Sequence, residues 1–143
     1  MGGRTDLYVI QNGALNGLRY RDEILNVFVR PYAGAIGPDF IFMDDNARPH
    51  RACVVNEYLQ NETIERMEWP ACSPDLNPIE HAWDMLQSDV AVRPVQPRSL
   101  EELQQALIQE WTNLDQNRLA RLIQSMRRCC LAVINARGGH NRY

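Results

Sequence analysis

At 143 residues the chain is one domain's worth of sequence, long enough to bury a single core, and its apolar content is ordinary. No stretch approaches the roughly eighteen apolar residues of a membrane span, the opening Met-Gly-Gly-Arg-Thr-Asp holds no apolar signal region, and the four cysteines (Cys53, Cys72, Cys129, Cys130) form no CxxC, so neither secretion nor a zinc site or disulfide framework is indicated and free thiols are expected. The net charge of −3 is uneven: residues 1–92 hold 7 Arg against 14 acids, residues 93–143 hold 8 Arg against 4, and lysine is absent. That imbalance suits a metal site near a phosphate-binding surface, or a solvated exterior.

In chain order, Leu7–Ile10 is a short β-like run, followed by a turn signal at Asn12-Gly13. From Asn16 to Val29 the spacing of Leu18, Ile24, Leu25 and Val29, with Tyr20 on or near the same face, predicts a helix, with Pro31 as its stop. Gly34–Pro38 is a loop. Phe40–Met43 is a continuous apolar run that reads as a strand buried on both faces, delivering Asp44 and Asp45 at its C-terminal end. Ala52–Leu59 has helical spacing, and Ile64–Trp69 predicts a strand closed by Pro70.

Ser73 to Pro78 forms a proline-rich elbow into a helix carrying Ile79, Trp83, Leu86 and Val90. Asn77 is its expected N-cap, Pro78 its first residue, and Glu80 falls where a capping-box carboxylate belongs. Beyond the Pro94–Pro97 linker, Ser99 and Glu102 make a second capping box, opening a helix through Leu103, Leu107 and Trp111. A last amphipathic helix runs from about Gln116 to Ile134, with Leu119, Leu122, Ile123, Met126 and Val133 as its apolar stripe, and Gly138-Gly139 ends it. Trp83 and Trp111 read as core. The order strand, helix, strand, helix, strand, then helices implies an α/β fold, with acids at the C-terminal end of a central strand.

Burying a strand that ends in Asp-Asp-Asn is costly unless the carboxylates meet solvent, a donor or a cation. Asp45 is therefore either a turn-capping acid or a site acid, and Glu80 is either a capping-box residue or a site acid. The stretch Phe42 to Ala52, with Asp45-Asn46 followed by His50, resembles the second-aspartate motif of Tc/mariner transposases. The stretch Trp69 to Trp83 resembles that family's proline-rich elbow and third catalytic acid. Thirty-four residues lie between Asp45 and Glu80, the separation of the Tc-one branch. Leu122–Arg128 and Ala136–Tyr143 resemble the family's usual C-terminal end.

The resemblance implies an RNase H-like fold, here one partial catalytic domain over residues 1–143: an α/β part, 1–92, with Asp45 and Glu80, and C-terminal helices over 98–143. It implies that Asp45 and Glu80 are catalytic acids and ligands of two Mg²⁺ (or Mn²⁺) ions, while Asp44 fits less well because the family's acid directly precedes the asparagine. Asn46, His50, Asn77 and His81 support the motifs, and Arg127, Arg128 and Arg137 are candidate phosphate contacts. The family activity is DNA cleavage and strand transfer in the nucleus, with no membrane. The first catalytic aspartate and the helix-turn-helix modules are expected upstream of the matched motifs and are not found in the chain. This polypeptide is therefore expected to be inactive alone and prone to self-association along the apolar edge of Phe40–Met43. The alternatives are a non-catalytic DNA- or protein-binding remnant and an RNase H-like nuclease acting on RNA.

Overall fold

The computed structural model describes residues 4–69, 73 and 76–136. Its packing falls into two compact units, Ile10–Ser73 and Met1–Val9 with Pro74–Tyr143. The Pro94–Pro97 linker, read from sequence as the divide between α/β part and terminal helices, lies inside the second of these.

In the first unit, Asn12 and Gly13 take φ of 52° and 92°, the left-handed turn that Asn-Gly favours. Asn16 caps α1 (Gly17–Arg19), its side chain accepting the Arg19 N–H at 3.0 Å. The helical path continues as a π-helical segment, Tyr20–Val29, and then α2 (Arg30–Ile36). Pro31 does not end the helix. The helical path runs through it into α2, and the stop is Gly37 at φ 85°.

The expected strand Phe40–Met43 shortens to β1 (Ile41–Phe42), and Ile64–Trp69 to β2 (Glu65–Arg66). They pair in parallel, Ile41 with Glu65 and Phe42 with Arg66. Burial on both faces is not found: Ile41 is half exposed, and the neighbouring Phe40 and Phe42 pack on the core from one side. Between the strands, α3 (Cys53–Asn61) supplies Val55 and Leu59 to a cluster with Tyr20, Leu25 and Ile64. Gly17 is needed where α1 meets the turn before α3, since a Cβ there would stand 2.5 Å from that of Ala52.

The second unit holds α4 (Pro78–Ala91), α5 (Leu100–Asn113) and α6 (Gln116–Asn135). Ser99 accepts the Glu102 N–H at 3.2 Å, and the Glu102 carboxylate accepts the Arg98 N–H at 2.6 Å, so this capping box closes one residue further out than expected. Ala82, Leu86, Trp111 and Leu114 form the core, with Leu119 and Leu122 of α6 against it. Ile123, expected in the same stripe, is exposed, and Cys129 is buried instead. Trp83, also expected in the core, is 40 % exposed and tilts against Trp111 with ring centroids 5.4 Å apart.

Leu7–Ile10 forms no strand. Its segment runs along the helices: Leu7 packs on the second core, the Thr5 carbonyl accepts the Trp111 indole N–H at 3.0 Å, and Arg4 donates to the Leu114 and Thr112 carbonyls at the end of α5. The fold is therefore mostly helical, with a small parallel sheet in the first unit. Among the described residues, no helix is long and apolar enough to cross a membrane.

Candidate active site

β1 ends two residues before a pair of acids with opposite surroundings. The Asp44 side chain is 3 % exposed, that of Asp45 is 46 % exposed. Asp44 lies 3.4 Å from Arg51 and 3.5 Å from Arg66, yet neither of its oxygens nor the Nε of either arginine makes a directed hydrogen bond among the described residues. Burial pushes the Asp44 carboxyl above the ordinary aspartate range, an effect that Arg66, Arg51 and His50 partly offset and Asp45 adds to. Asp44 is thus a buried acid set between two arginines.

Asp45 turns outward. Its Oδ1 accepts the Ala47 N–H at 2.9 Å and stands 2.5 Å from His50 Nδ1; Oδ2 has no hydrogen-bond partner among the described residues. The Asx turn at Asp45 is thus real, so the capping reading and an outward-facing carboxylate coexist. Asn46 donates its side-chain N–H to the Trp69 carbonyl at 3.3 Å, tying the loop to the segment after β2. The His50 ring lies on that of Tyr20, centroids 4.1 Å apart at 27°. Tyr20 is buried, which raises its phenol well above the ordinary range, with the nearby Asp44 adding to the shift.

Glu80 stands at the start of α4. Asn77 is buried and caps the helix, its Oδ1 accepting the Ile79 N–H at 3.3 Å, and the Glu80 N–H donates to the Asn77 carbonyl at 3.1 Å. The reciprocal capping-box bond is not made: the half-buried Glu80 carboxylate has no hydrogen bond among the described residues. Asn77 thus caps alone through its amide, and the carboxylate is left open. His81 follows it, also half-buried.

Asp45, Asn46 and His50 therefore belong to one compact unit, and Asn77, Glu80 and His81 to the other. Among the described residues no three His, Cys, Asp or Glu side chains gather as a metal cage. Arg127 and Arg128 are exposed on α6, a helix with no acidic residue, in which Arg118 pairs with Asp89 at 2.8 Å. Arg137 and the elbow positions 70–72 and 74–75 lie outside the described residues. Sequence reasoning did not single out Tyr20, Arg51 and Arg66 as site residues. Only Arg51 lies within a motif; Tyr20 is marked only as part of an apolar helix face, and nothing local marks Arg66.

Residues 5–104 match the sequence model of the family described as DDE superfamily endonuclease. The chain is 33% identical over 123 residues to the transposable element Tcb1 transposase of Caenorhabditis briggsae and 32% identical over 123 residues to the Tc1 transposase of Caenorhabditis elegans. Each alignment covers 85% of this chain and 44% of the relative, so the chain spans less than half the length of the curated relatives it matches. Among solved structures, the catalytic domain of Mos1 mariner transposase superposes with a TM-score of 0.76 at 21% identity, covering 91% of this chain and 66% of that one. The same domain with Raltegravir and Mg gives 0.77 at 21% identity, covering 91% and 67%. The Mos1 paired-end complex with the left transposon end gives 0.73 at 22%, covering 91% and 38%. The fold is RNase H-like.

Proposed function

The chain belongs to the DDE superfamily endonucleases, on the Tc/mariner transposase side, and from that premise we propose that Asp45 and Glu80 are its catalytic acids, serving metal-dependent DNA cleavage and strand transfer in transposition. One observation carries this: within the family-matched stretch, these two acids each present a carboxylate oxygen that the described fold leaves without a donor, while the neighbouring Asp44 is buried against arginines.

Both donors suit a hard divalent cation such as Mg²⁺ or Mn²⁺, which takes carboxylate oxygens and keeps solvent and phosphate oxygens in its remaining positions. Solved Mos1 catalytic domains with Mg and with Mn support the choice of ion. When bound, a pair of such ions supplies charge stabilisation to the attacking and leaving oxygens of an in-line displacement at phosphorus. Asp45 would offer Oδ2, because Oδ1 is committed to Ala47 and His50. Glu80 would offer its carboxylate from the first turn of α4, its backbone set by Asn77 and Pro78. Asn46, His50 and His81 act as positioning residues. Arg127, Arg128 and Arg137 contact DNA phosphates without reading sequence, and the reaction takes place in the nucleus. A self-associated state accords with the Mos1 paired-end complexes. No observation favours an RNA substrate or a purely non-catalytic remnant.

The test is a graft of this chain into the Caenorhabditis elegans Tc1 transposase in place of the segment it matches, assayed for Mg²⁺-dependent cleavage of a plasmid bearing transposon ends. Cleavage is expected in the graft and its loss by orders of magnitude in Asp45→Asn. Full cleavage by Asp45→Asn would refute the assignment.

A further inference from the structure

Asp45 is held by His50 of its own motif, and His50 is anchored by side chains that lie outside the recognised motifs. Two donors converge on its Oδ1, the Ala47 N–H at 2.9 Å and His50 Nδ1 at 2.5 Å. His50 is itself fixed at two further points. Its ring lies on buried Tyr20, and its carbonyl accepts a hydrogen bond from Arg66 Nη2 at 3.1 Å. The Arg66 side chain is only 13 % exposed. Its Nη1 donates to Asn56 Oδ1 at 2.9 Å, and its Nη2 lies 3.5 Å from Asp44 Oδ2. One guanidinium on β2 therefore joins α3, the end of β1 and the turn that carries His50.

We propose that Arg66, together with Tyr20, is a positioning residue that acts on Asp45 through His50, holding the imidazole so that its Nδ1–H occupies Oδ1 and Oδ2 alone is presented outward. The proposal rests on the reading of Asp45 as a metal-holding acid. Its physical basis is that a half-exposed aspartate swings freely unless its oxygens are engaged. Two donors on one oxygen select a single orientation. The histidine that gives one of them keeps its tautomer only while its ring and backbone are anchored. The rigid fork of an arginine reaches three partners in different directions, which the single ammonium of lysine cannot reproduce.

The direct test is a long-range ¹H–¹⁵N spectrum of the full chain, without metal, at a pH above the ordinary imidazole range so that the rings are neutral. The chain has only three histidines, His50, His81 and His140, and His50→Gln identifies the relevant signals. His50 is expected to carry its proton on Nδ1 in the parent and in Tyr20→Phe, which keeps the stacked ring. Arg66→Lys and Tyr20→Leu are expected to make that tautomer the minor species, with helical circular dichroism retained. Because removing Arg66 alone strips a buried carboxylate of a partner, Asp44→Asn combined with Arg66→Gln removes both charges together and is expected to give the same change. An unchanged Nδ1 tautomer in these folded Arg66 variants overturns the proposal.

In the Tc1 graft, Arg66→Lys should raise the Mg²⁺ concentration for half-maximal cleavage roughly 10- to 100-fold, the usual effect of losing an outer partner of a ligand, with the KM for DNA unchanged. The two ideas fail separately. Full cleavage by Asp45→Asn removes the reading of the site whatever the spectra show. Inert spectra beside a dead Asp45→Asn remove only the role of Arg66.

Discussion

In Ile10–Ser73, Asp45 follows a two-residue strand, and its carboxylate is oriented by groups from the π-helical segment, the turn before α3, and β2. In the other unit, Glu80 is the third residue of α4, and everything that sets its backbone lies within three residues: the Asn77 cap, Pro78 and the first helical turn. The same chemical group is thus placed by long-range packing in one case and by local helix-start chemistry in the other. The two acids therefore differ in fragility. Changes far away in sequence should disturb Asp45, whereas Glu80 should respond only to its immediate neighbours.

The largest expected effect separates charge from scaffold at the local site. In the Tc1 graft, Glu80→Gln should abolish Mg²⁺-dependent cleavage while leaving the melting temperature nearly unchanged, because the carboxylate makes no hydrogen bond in the described fold for the amide to lose. Retained nicking would leave Glu80 as a helix-start residue only. Next in size are the two cores. Leu25 is fully buried in the first cluster and Leu86 is nearly so in the second, and truncating either to alanine should cost about 2–5 kcal/mol in urea unfolding. Leu25→Ala should also broaden the His50 ring signals, whereas Leu86→Ala should leave them alone; equal broadening in both would break the contrast between the two regions.

How much of the molecule is legible in its sequence divides along the same line. The starts of α4 and α5 can be placed to the residue because their caps, Asn77 and Ser99, act on N–H groups two or three positions away. Leu7–Ile10 has the pattern of a strand and forms none: Leu7 packs on the second core, and the adjoining Arg4 and Thr5 bond to the end of α5 and to Trp111, more than a hundred residues on. Pro31 has the look of a stop and is not one: the helical path runs through it from the π-helical segment into α2. Asp45 and Glu80 are legible as motif residues. Their surroundings are not: Glu80 is expected in a capping box it does not make, and Arg66 carries no local mark because its role depends on where β2 pairs. Trp83 and Ile123 fit an apolar spacing, yet spacing alone does not decide which edge of a helix face the neighbours cover.

The contrast extends to charge. α6 carries Arg121, Arg127 and Arg128 exposed and no acid, whereas residues 1–92 are strongly acidic. Duplex DNA should therefore bind weakly, without sequence preference, and the slope of log affinity against log salt should fall by about 1 for each of Arg127→Ala and Arg128→Ala. Fluorescence anisotropy on unrelated duplexes at several salt concentrations measures this. A slope unaltered by both substitutions would place the phosphate contacts elsewhere.

The smallest effect tests the local scaffold under Glu80 directly. Asn77 is buried and its Oδ1 accepts the Ile79 N–H at 3.3 Å, one of the donors that a helix start otherwise leaves unmatched. The bond is long, and Pro78, having no N–H, leaves one donor fewer to satisfy. Asn77→Ala should accordingly cost on the order of 1 kcal/mol, near the middle of the range for lost caps, and Asn77→Asp, which keeps an acceptor, should cost much less. In the graft, Asn77→Ala should lower cleavage only modestly, since Glu80 keeps its charge and the helix start can shift without leaving the first turn. The pair Glu80→Gln and Asn77→Ala then dissociates the two quantities: one loses activity and keeps stability, the other loses stability and keeps most activity. A thermal melt beside plasmid cleavage on each variant reads both. If Asn77→Ala abolished cleavage at an unchanged melting temperature, Asn77 would be acting on the substrate or the metal, and the purely local account of how Glu80 is placed would be wrong.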